Sequence, residues 1–338
     1  MKRHLPTGLL AAALVLLFAA PAFNVSNYLI VAGVSFAVFS VLATGLNLVW
    51  GYAGLLSFAQ VAFFGIGGYT AAILVRDAGW PFFGAVGAGG VLAAVIGVVI
   101  GYSSLRLSRH AFALVTLSFS LLCVLLAREW VSVTHGAMGM PGLFIDPIRL
   151  LGGLQLKFST PTQFYYLLLG YAVLANALVY ALVSSRIGRA LRAIKLNEPL
   201  AQSQRINPVS YRLLAVVLSA FLAGAMGGIF VFYLGIVDPT IFDVYYTETM
   251  LIMVVIGGPG SFWWVLASTA ILTVLPDALE IAPDLRMVLY GALLVAAMLA
   301  LPGGIGGWFA ARRLDRWRKR PYGSNTQPVQ HDEQQDPA

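Results

Sequence analysis

Asn47, Ser57, Gln60, Thr116, Ser118 and Ser120 are polar side chains set inside otherwise apolar runs. A polar group at membrane depth must face a partner or water, so each is a candidate to line the path of a polar solute. Serine and threonine can instead bond their own helix backbone, and that structural reading stays open for the four hydroxyl residues. A side-chain amide is harder to satisfy within its own helix, which singles out Asn47 and Gln60. Gly257, Gly258 and Gly260 belong to Gly257-Gly258-Pro259-Gly260, which cuts the uncharged run 249–276 near its middle. Bond-making chemistry lacks its signatures: Gly-x-x-x-x-Gly-Lys-Ser/Thr, Gly-x-Gly-x-x-Gly, Gly-x-Ser-x-Gly and His-Glu-x-x-His are all absent. Cys123 is the only cysteine, and His4, His110, His135 and His331 are too scattered for a local metal motif. The expectation is a chain that is not an enzyme, with no catalytic residue, no metal and no cofactor of its own.

The elements that carry these residues follow from composition. Of 338 residues, 59% are hydrophobic and only 10% charged, and the mean hydropathy is +0.83. Soluble domains carry about a quarter of charged residues. No Asp, Glu, Lys or Arg occurs between Arg3 and Arg76, which leaves apolar length for about three spans of roughly 20 residues each. Uncharged runs predict spans at 9–23, 28–49, 52–75, 82–102, 111–127, 163–184, 213–235 and 287–301. The run 249–276 adds two short helices meeting at its glycine break. The expected fold is all-α: a polytopic membrane helix bundle of about ten transmembrane segments, including broken and short helices, with an inverted repeat.

Alternating ten crossings from an inside N-terminus puts Lys2, Arg3, Arg106, Arg109, the six basic residues of 186–212 and the six of 312–320 on the cytoplasmic side. Only Arg76, Arg128, Arg149, Lys157 and Arg286 fall outside, so positive-inside asymmetry predicts both termini cytoplasmic. Residues 1–22 also fit a secretory signal with cleavage after Ala22; a retained helix is the reading adopted. Gly97-x-x-x-Gly101 and Gly224-x-x-x-Gly228 allow close helix approach. Residues 1–311 are read as the transmembrane domain. Residues 312–338 are a basic stop segment held by anionic membrane lipid, followed by a disordered cytoplasmic tail, and no nucleic-acid partner is expected.

Secure spans carry no charge at their centres, whereas proton- and voltage-coupled transporters use such groups. Translocation must draw its energy from elsewhere, through a separate ATPase, or run as a passive channel. The sizeable cytoplasmic segment between spans, 186–212, contains a short basic, amphipathic helix. Asn197 caps it, Glu198 suits its positive end, Pro199 is tolerated in its first turn and Asn207-Pro208 closes it. A helix resting on the lipid surface is the alternative.

At this loop the chain resembles a known family. Gly188-Arg-Ala-Leu-Arg-Ala-Ile, Asn197-Glu198, Ile206-Asn207 and Tyr211-Arg-Leu-Leu-Ala are similar to the ATPase-docking loop of the branched-chain amino-acid ABC transporter permease family, in its LivM-type members. Gly45-Leu-Asn-Leu-Val-Trp-Gly-Tyr-Ala-Gly-Leu-Leu-Ser57, Ala62-Phe-Phe-Gly-Ile-Gly-Gly-Tyr69, Ala223-Gly with Tyr233, and Val254-Val-Ile-Gly-Gly-Pro-Gly-Ser261 agree in order. Thr134-His-Gly-Ala-Met-Gly-Met-Pro-Gly142, Leu289-Tyr-Gly and Pro302-Gly-Gly are similar too. The resemblance implies a ten-helix importer subunit of the bacterial inner membrane. Its implied partners are a second homologous permease subunit, two cytoplasmic ATPase subunits that hold ATP and Mg, and a periplasmic solute-binding protein. Matched positions assign docking to Glu198, Ala201 and Gln202, flanked by Arg189, Arg192 and Arg205. Family members often carry an acidic residue where Leu121 and Leu122 stand here. The expected solute is a branched-chain or related amino acid; the alternatives are urea, an amide or a small organic acid carried by the same kind of permease, or a passive channel or unrelated membrane enzyme. The glycine-broken segments 51–68 and 257–261 are expected as a related pair on either side of the translocation route.

Overall fold

The computed structural model describes residues 27–145, 148–149, 155–156, 160–278, 292, 295 and 304–307. The apolar runs are wound into helices, the fold that satisfies every backbone group inside a segment when lipid offers no partner. In chain order these are α1 (Asn27–Leu46) continued by a π-turn (Asn47–Tyr52), α2 (Gln60–Arg76), α3 (Phe82–Ser104), α4 (Arg109–Glu129), α5 (Pro161–Ser184), α6 (Arg186–Leu196), α7 (Glu198–Ser203), α8 (Pro208–Leu234), α9 (Val244–Gly257) and α10 (Phe262–Ala278). Among the described residues six helical stretches are long and apolar enough to cross a membrane, and two shorter apolar helices, Gln60–Arg76 and Phe262–Thr273, accompany them. The protein is a multi-pass membrane helix bundle. Those eight correspond to the inner eight of the ten expected segments. The expected span at 9–23, all of that at 287–301 except residues 292 and 295, the signal-cleavage site and the segment 312–338 lie outside the described residues.

Helix starts follow the local chemistry. The Ser108 hydroxyl caps α4 by accepting from the Ala111 N–H, and Ser185 caps α6 by accepting from Ile187 N–H. Asn207 with Pro208 opens α8, and Asp243 opens α9 by accepting from Tyr245 N–H. One expected boundary is displaced. The run read as a single span from 52 to 75 becomes the end of the π-turn, a non-helical stretch over 53–59 and then α2 from Gln60. Gly54, in the left-handed region at φ +78°, is where the chain leaves helical geometry. The break in 249–276 is present as expected, between Gly257 and Phe262.

Packing centres on α8, whose middle, from Ser219 to Phe232, is mostly buried and which packs chiefly against α2 and α3. A Cβ on Gly67 would overlap the backbone of Gly224, and one on Gly224 would press on Ala93; Gly97 lies against Ala220. Both small-residue motifs thus serve one junction, where van der Waals contact between backbones replaces the absent hydrophobic drive. Val91, Val95 and Val99 of α3 and Leu114, Leu121 and Leu125 of α4 are exposed, as suits sides turned to lipid.

The bundle has two distinct ends. At one, Val49, Leu55, Leu105, Phe112 and Val216 form a small cluster, near the loop helices α6 and α7 and the Gly258–Ser261 turn. At the other, Met140–Pro141 pairs antiparallel with Ile236–Val237, and Tyr69 stacks on Phe242 with ring centroids 5.9 Å apart. By element order Arg106, Arg109, Arg186, Arg189, Arg192, Lys195, Glu198, Arg205 and Arg212 fall at the first end, and Arg76, Asp77, Arg128, Glu129, Asp238 and Asp243 at the second.

Candidate functional site

The first part of the site is the loop between α5 and α8. Helix α6 buries Gly188, Ala190, Leu191 and Ile194 and leaves Arg186 and Arg189 exposed. A single residue, Asn197, separates it from α7, and its Oδ1 accepts from the Leu200 N–H at 3.1 Å. Glu198 faces inward: its two carboxylate oxygens accept from Arg212 Nη1 and Nη2 at 3.0 and 2.9 Å, pinning α7 to α8. This bidentate, charge-assisted pairing fixes orientation as well as distance. Arg212 is only 6% exposed, and its Nε is buried without a partner among the described residues.

Of the residues assigned to docking, Ala201 is buried, while Arg189, Gln202 and Arg205 are exposed. Arg192 curls back, donating to the carbonyls of Gly188 and Val183 at 3.2 and 3.3 Å, with its guanidinium 5.8 Å from the centre of the Tyr52 ring. The sequence reading passed over Leu196 and Leu200, which are 86% and 61% exposed. Their signal was an apolar pair four residues apart in a basic loop.

The second part is a knot where three segments meet. Asn47 Oδ1 accepts from the Gly260 N–H at 2.8 Å, and the Tyr52 hydroxyl accepts from the Phe262 N–H at 3.2 Å. Lys195 Nζ donates to the Gly51 carbonyl at 2.7 Å. Gly51 and Gly260 are in direct contact: a Cβ on Gly51 would overlap the Gly260 nitrogen and the Asn47 amide oxygen. Helices α9 and α10 run back past each other as a hairpin, the Ser268 hydroxyl donating to the Met253 carbonyl at 2.6 Å. Gly258 and Gly260 take φ of +94° and +95°, so the turn needs glycine at both positions. From the far end of the chain Gly304 comes against Gly258 and Gly306 against Ser261. The two glycine-broken segments therefore touch. Burial, seconded by the positive field of Arg109, pushes the half-buried Lys195 ammonium below its ordinary pKa.

The remaining polar residues divide. Gln60 Oε1 accepts from the Ser219 hydroxyl at 2.8 Å, while its Nε2 is buried with no partner among the described residues. Thr116 Oγ1 accepts from the Phe58 N–H at 3.1 Å and donates to the Ala113 carbonyl at 2.9 Å. Ser57 Oγ accepts from the Ala59 N–H at 3.3 Å. Thr116 and Ser57 thus hold the non-helical stretch 53–59. Ser120 is buried, and Ser118 is exposed on the side of α4 that carries the exposed leucines, away from the others. Among the described residues no three His, Cys, Asp or Glu side chains come together.

Comparison with known proteins agrees on one family. The family model described as branched-chain amino acid transport system, permease component, matches residues 27–298. The high-affinity branched-chain amino acid transport system permease protein LivM of Escherichia coli K12 is 30% identical over 286 residues, covering 79% of this chain and 67% of that protein. LivM of Salmonella typhimurium is 29% identical over the same length. The permease protein LivH of E. coli K12 is 26% identical over 287 residues, 80% of this chain and 92% of that protein. No solved structure matches.

Proposed function

The chain belongs to the branched-chain amino acid transport system permease family, and from that premise we propose that it is the membrane-spanning translocation subunit of an ATP-driven importer in the bacterial inner membrane. It works beside a second homologous permease subunit, two cytoplasmic ATPase subunits that bind ATP and Mg, and a periplasmic binding protein that delivers a branched-chain or related amino acid. Both termini and the α6–α7 loop face the cytoplasm.

The observation that carries this reading is the build of α7. It is capped, pinned to the long helix α8 by the Glu198–Arg212 pair, and it presents Leu200 and Gln202 outward, flanked by the exposed Leu196 at the end of α6 and Arg205 just beyond α7. A rigid helix with an apolar tip on a polar membrane face suits an ATPase groove better than bulk water. On the membrane side, Asn47, Ser57, Gln60, Thr116, Gly257, Gly258 and Gly260 remain the candidates for the solute path, and Ser118 stands apart from them on the side of α4 that carries the exposed leucines. The contact of the two broken segments supports a role for both in one moving part.

The test is reconstitution of the chain with its partner permease, ATPases and binding protein in proteoliposomes, followed by uptake of labelled leucine, urea and a small organic acid. Leucine uptake that requires internal or external ATP on the ATPase side is the expected result. Accumulation-free flux without ATP would make the protein a channel and overturn the reading. ATP-dependent uptake of urea alone would replace the solute and leave the rest.

A further inference from the structure

The contacts around Lys195 join two parts that the proposed function treats separately, the loop that meets the ATPase and the glycine-broken turn in the membrane domain. Lys195 closes α6, two residues before Asn197 opens α7. Its aliphatic stem lies against Gly54, where a Cβ would come within 3.1 Å of its Cγ, and its ammonium holds the Gly51 carbonyl at 2.7 Å. Arg192, three residues earlier and so on the same side of the helix, faces the Tyr52 ring. Both contacts from α6 land on the π-turn. From there the Asn47–Gly260 and Tyr52–Phe262 hydrogen bonds lead into the α9–α10 turn.

The π-turn is suited to pass on movement. Its i→i+5 bonding continues past Tyr52, where the Ala53 N–H donates to the Leu48 carbonyl at 3.2 Å. Such turns are rare and concentrate at functional positions. Rewinding it by one residue would withdraw the Gly51 carbonyl from Lys195 and move Asn47 past Gly260, so a change of winding there would be felt at both contacts.

We infer that Lys195 is a positioning residue that conveys displacement of α7 to the Gly258–Ser261 turn through the π-turn, with Arg192 as its second point of contact. This inference rests on the importer reading given above. It assigns Lys195 no contact with the solute or with ATP. Its removal should therefore dissociate hydrolysis from transport, whereas a merely structural lysine would reduce both together.

The experiment uses the complete reconstituted transporter and measures solute moved per ATP hydrolysed. Lys195→Met, which keeps the stem and loses the charged donor, should lower that ratio about tenfold while hydrolysis stays within about twofold of wild type. Lys195→Arg should restore most of the ratio. In parallel, Ser261→Cys in a Cys123→Ala background should react with a small hydrophilic thiol reagent at a rate that changes on adding ATP, and Lys195→Met should abolish that change. An unaltered ratio in Lys195→Met, or an unaltered ATP response at Ser261→Cys, would overturn the inference. So would parallel loss of assembly in both lysine variants, which would assign Lys195 to folding alone. Failure of the wild-type complex to take up solute with ATP would instead overturn the importer reading.

Discussion

Glu198 shows how a residue's local setting can be read from the sequence while its partner cannot. Its position at the start of a capped loop helix was legible from Asn197-Glu198-Pro199, because caps and first-turn acids depend on neighbours a few residues away. Its pairing with Arg212 was not, since nothing in local spacing says that the carboxylate turns back to α8. The guanidinium is buried, so removing its partner leaves a desolvated cation. We expect Glu198→Ala to cost about 2–3 kcal/mol, the range for hydrogen bonds to charged groups, read as a lower melting temperature of the detergent-purified protein. Arg212→Met should cost less, because Glu198 is partly exposed and can take water. If the pair orients α7, then Glu198→Arg combined with Arg212→Glu should recover uptake that Glu198→Arg alone destroys. No recovery would mean that Glu198 is needed by the ATPase itself. Lys195 was illegible for a related reason: its acceptor is a backbone carbonyl 144 residues away in sequence, which has no side-chain signature.

Among the elements, long helices and the glycine break were readable because apolar length and Gly-Pro-Gly punctuation act locally. The π-turn and the stretch 53–59 were not. That region is uncharged and mostly apolar, so hydropathy extends a helix across it, whereas the tertiary bonds of Asn47, Tyr52, Gly51 and Phe58 hold the chain in another form. The same contrast separates two glycines. Gly51 has no room for a methyl group between Asn47 and Gly260, whereas a Cβ on Gly170, within α5, meets nothing within 4 Å. Gly51→Ala should therefore destabilise by about 1–3 kcal/mol through overpacking. Gly170→Ala should be neutral or stabilise by up to about 1 kcal/mol, since alanine loses less backbone entropy in a helix. Thermal unfolding of the two variants side by side checks this. Equal behaviour would mean that the knot yields without strain.

At the scale of the whole molecule the charge pattern and the packing agree by independent routes. Counting Lys and Arg along the chain puts the loops 105–108, 185–212 and 258–261 on one face without any knowledge of contacts. In the folded chain Lys195, Gly51 and Gly260 meet at one end of the bundle, and Gly139 meets Val237 and Asp238 at the other. A topology with one crossing too many or too few between residues 27 and 278 would have put some of these pairs at opposite ends, so the alternation of the inner eight segments is doubly supported. Which end faces the cytoplasm rests on charge alone, and it makes a direct prediction. In a Cys123→Ala background, Met138→Cys at the strand end and Gln202→Cys on α7 are both exposed positions. In intact cells with a permeable outer membrane, a membrane-impermeant thiol reagent should label Met138→Cys and leave Gln202→Cys unlabelled until the inner membrane is opened. The reverse pattern would invert the molecule, put α7 on the wrong side for any ATPase and remove the basis for coupling through Lys195. Labelling of both sites from outside would break the alternation itself, which the contact between Gly51 and Gly260 makes the harder result to reconcile with the fold.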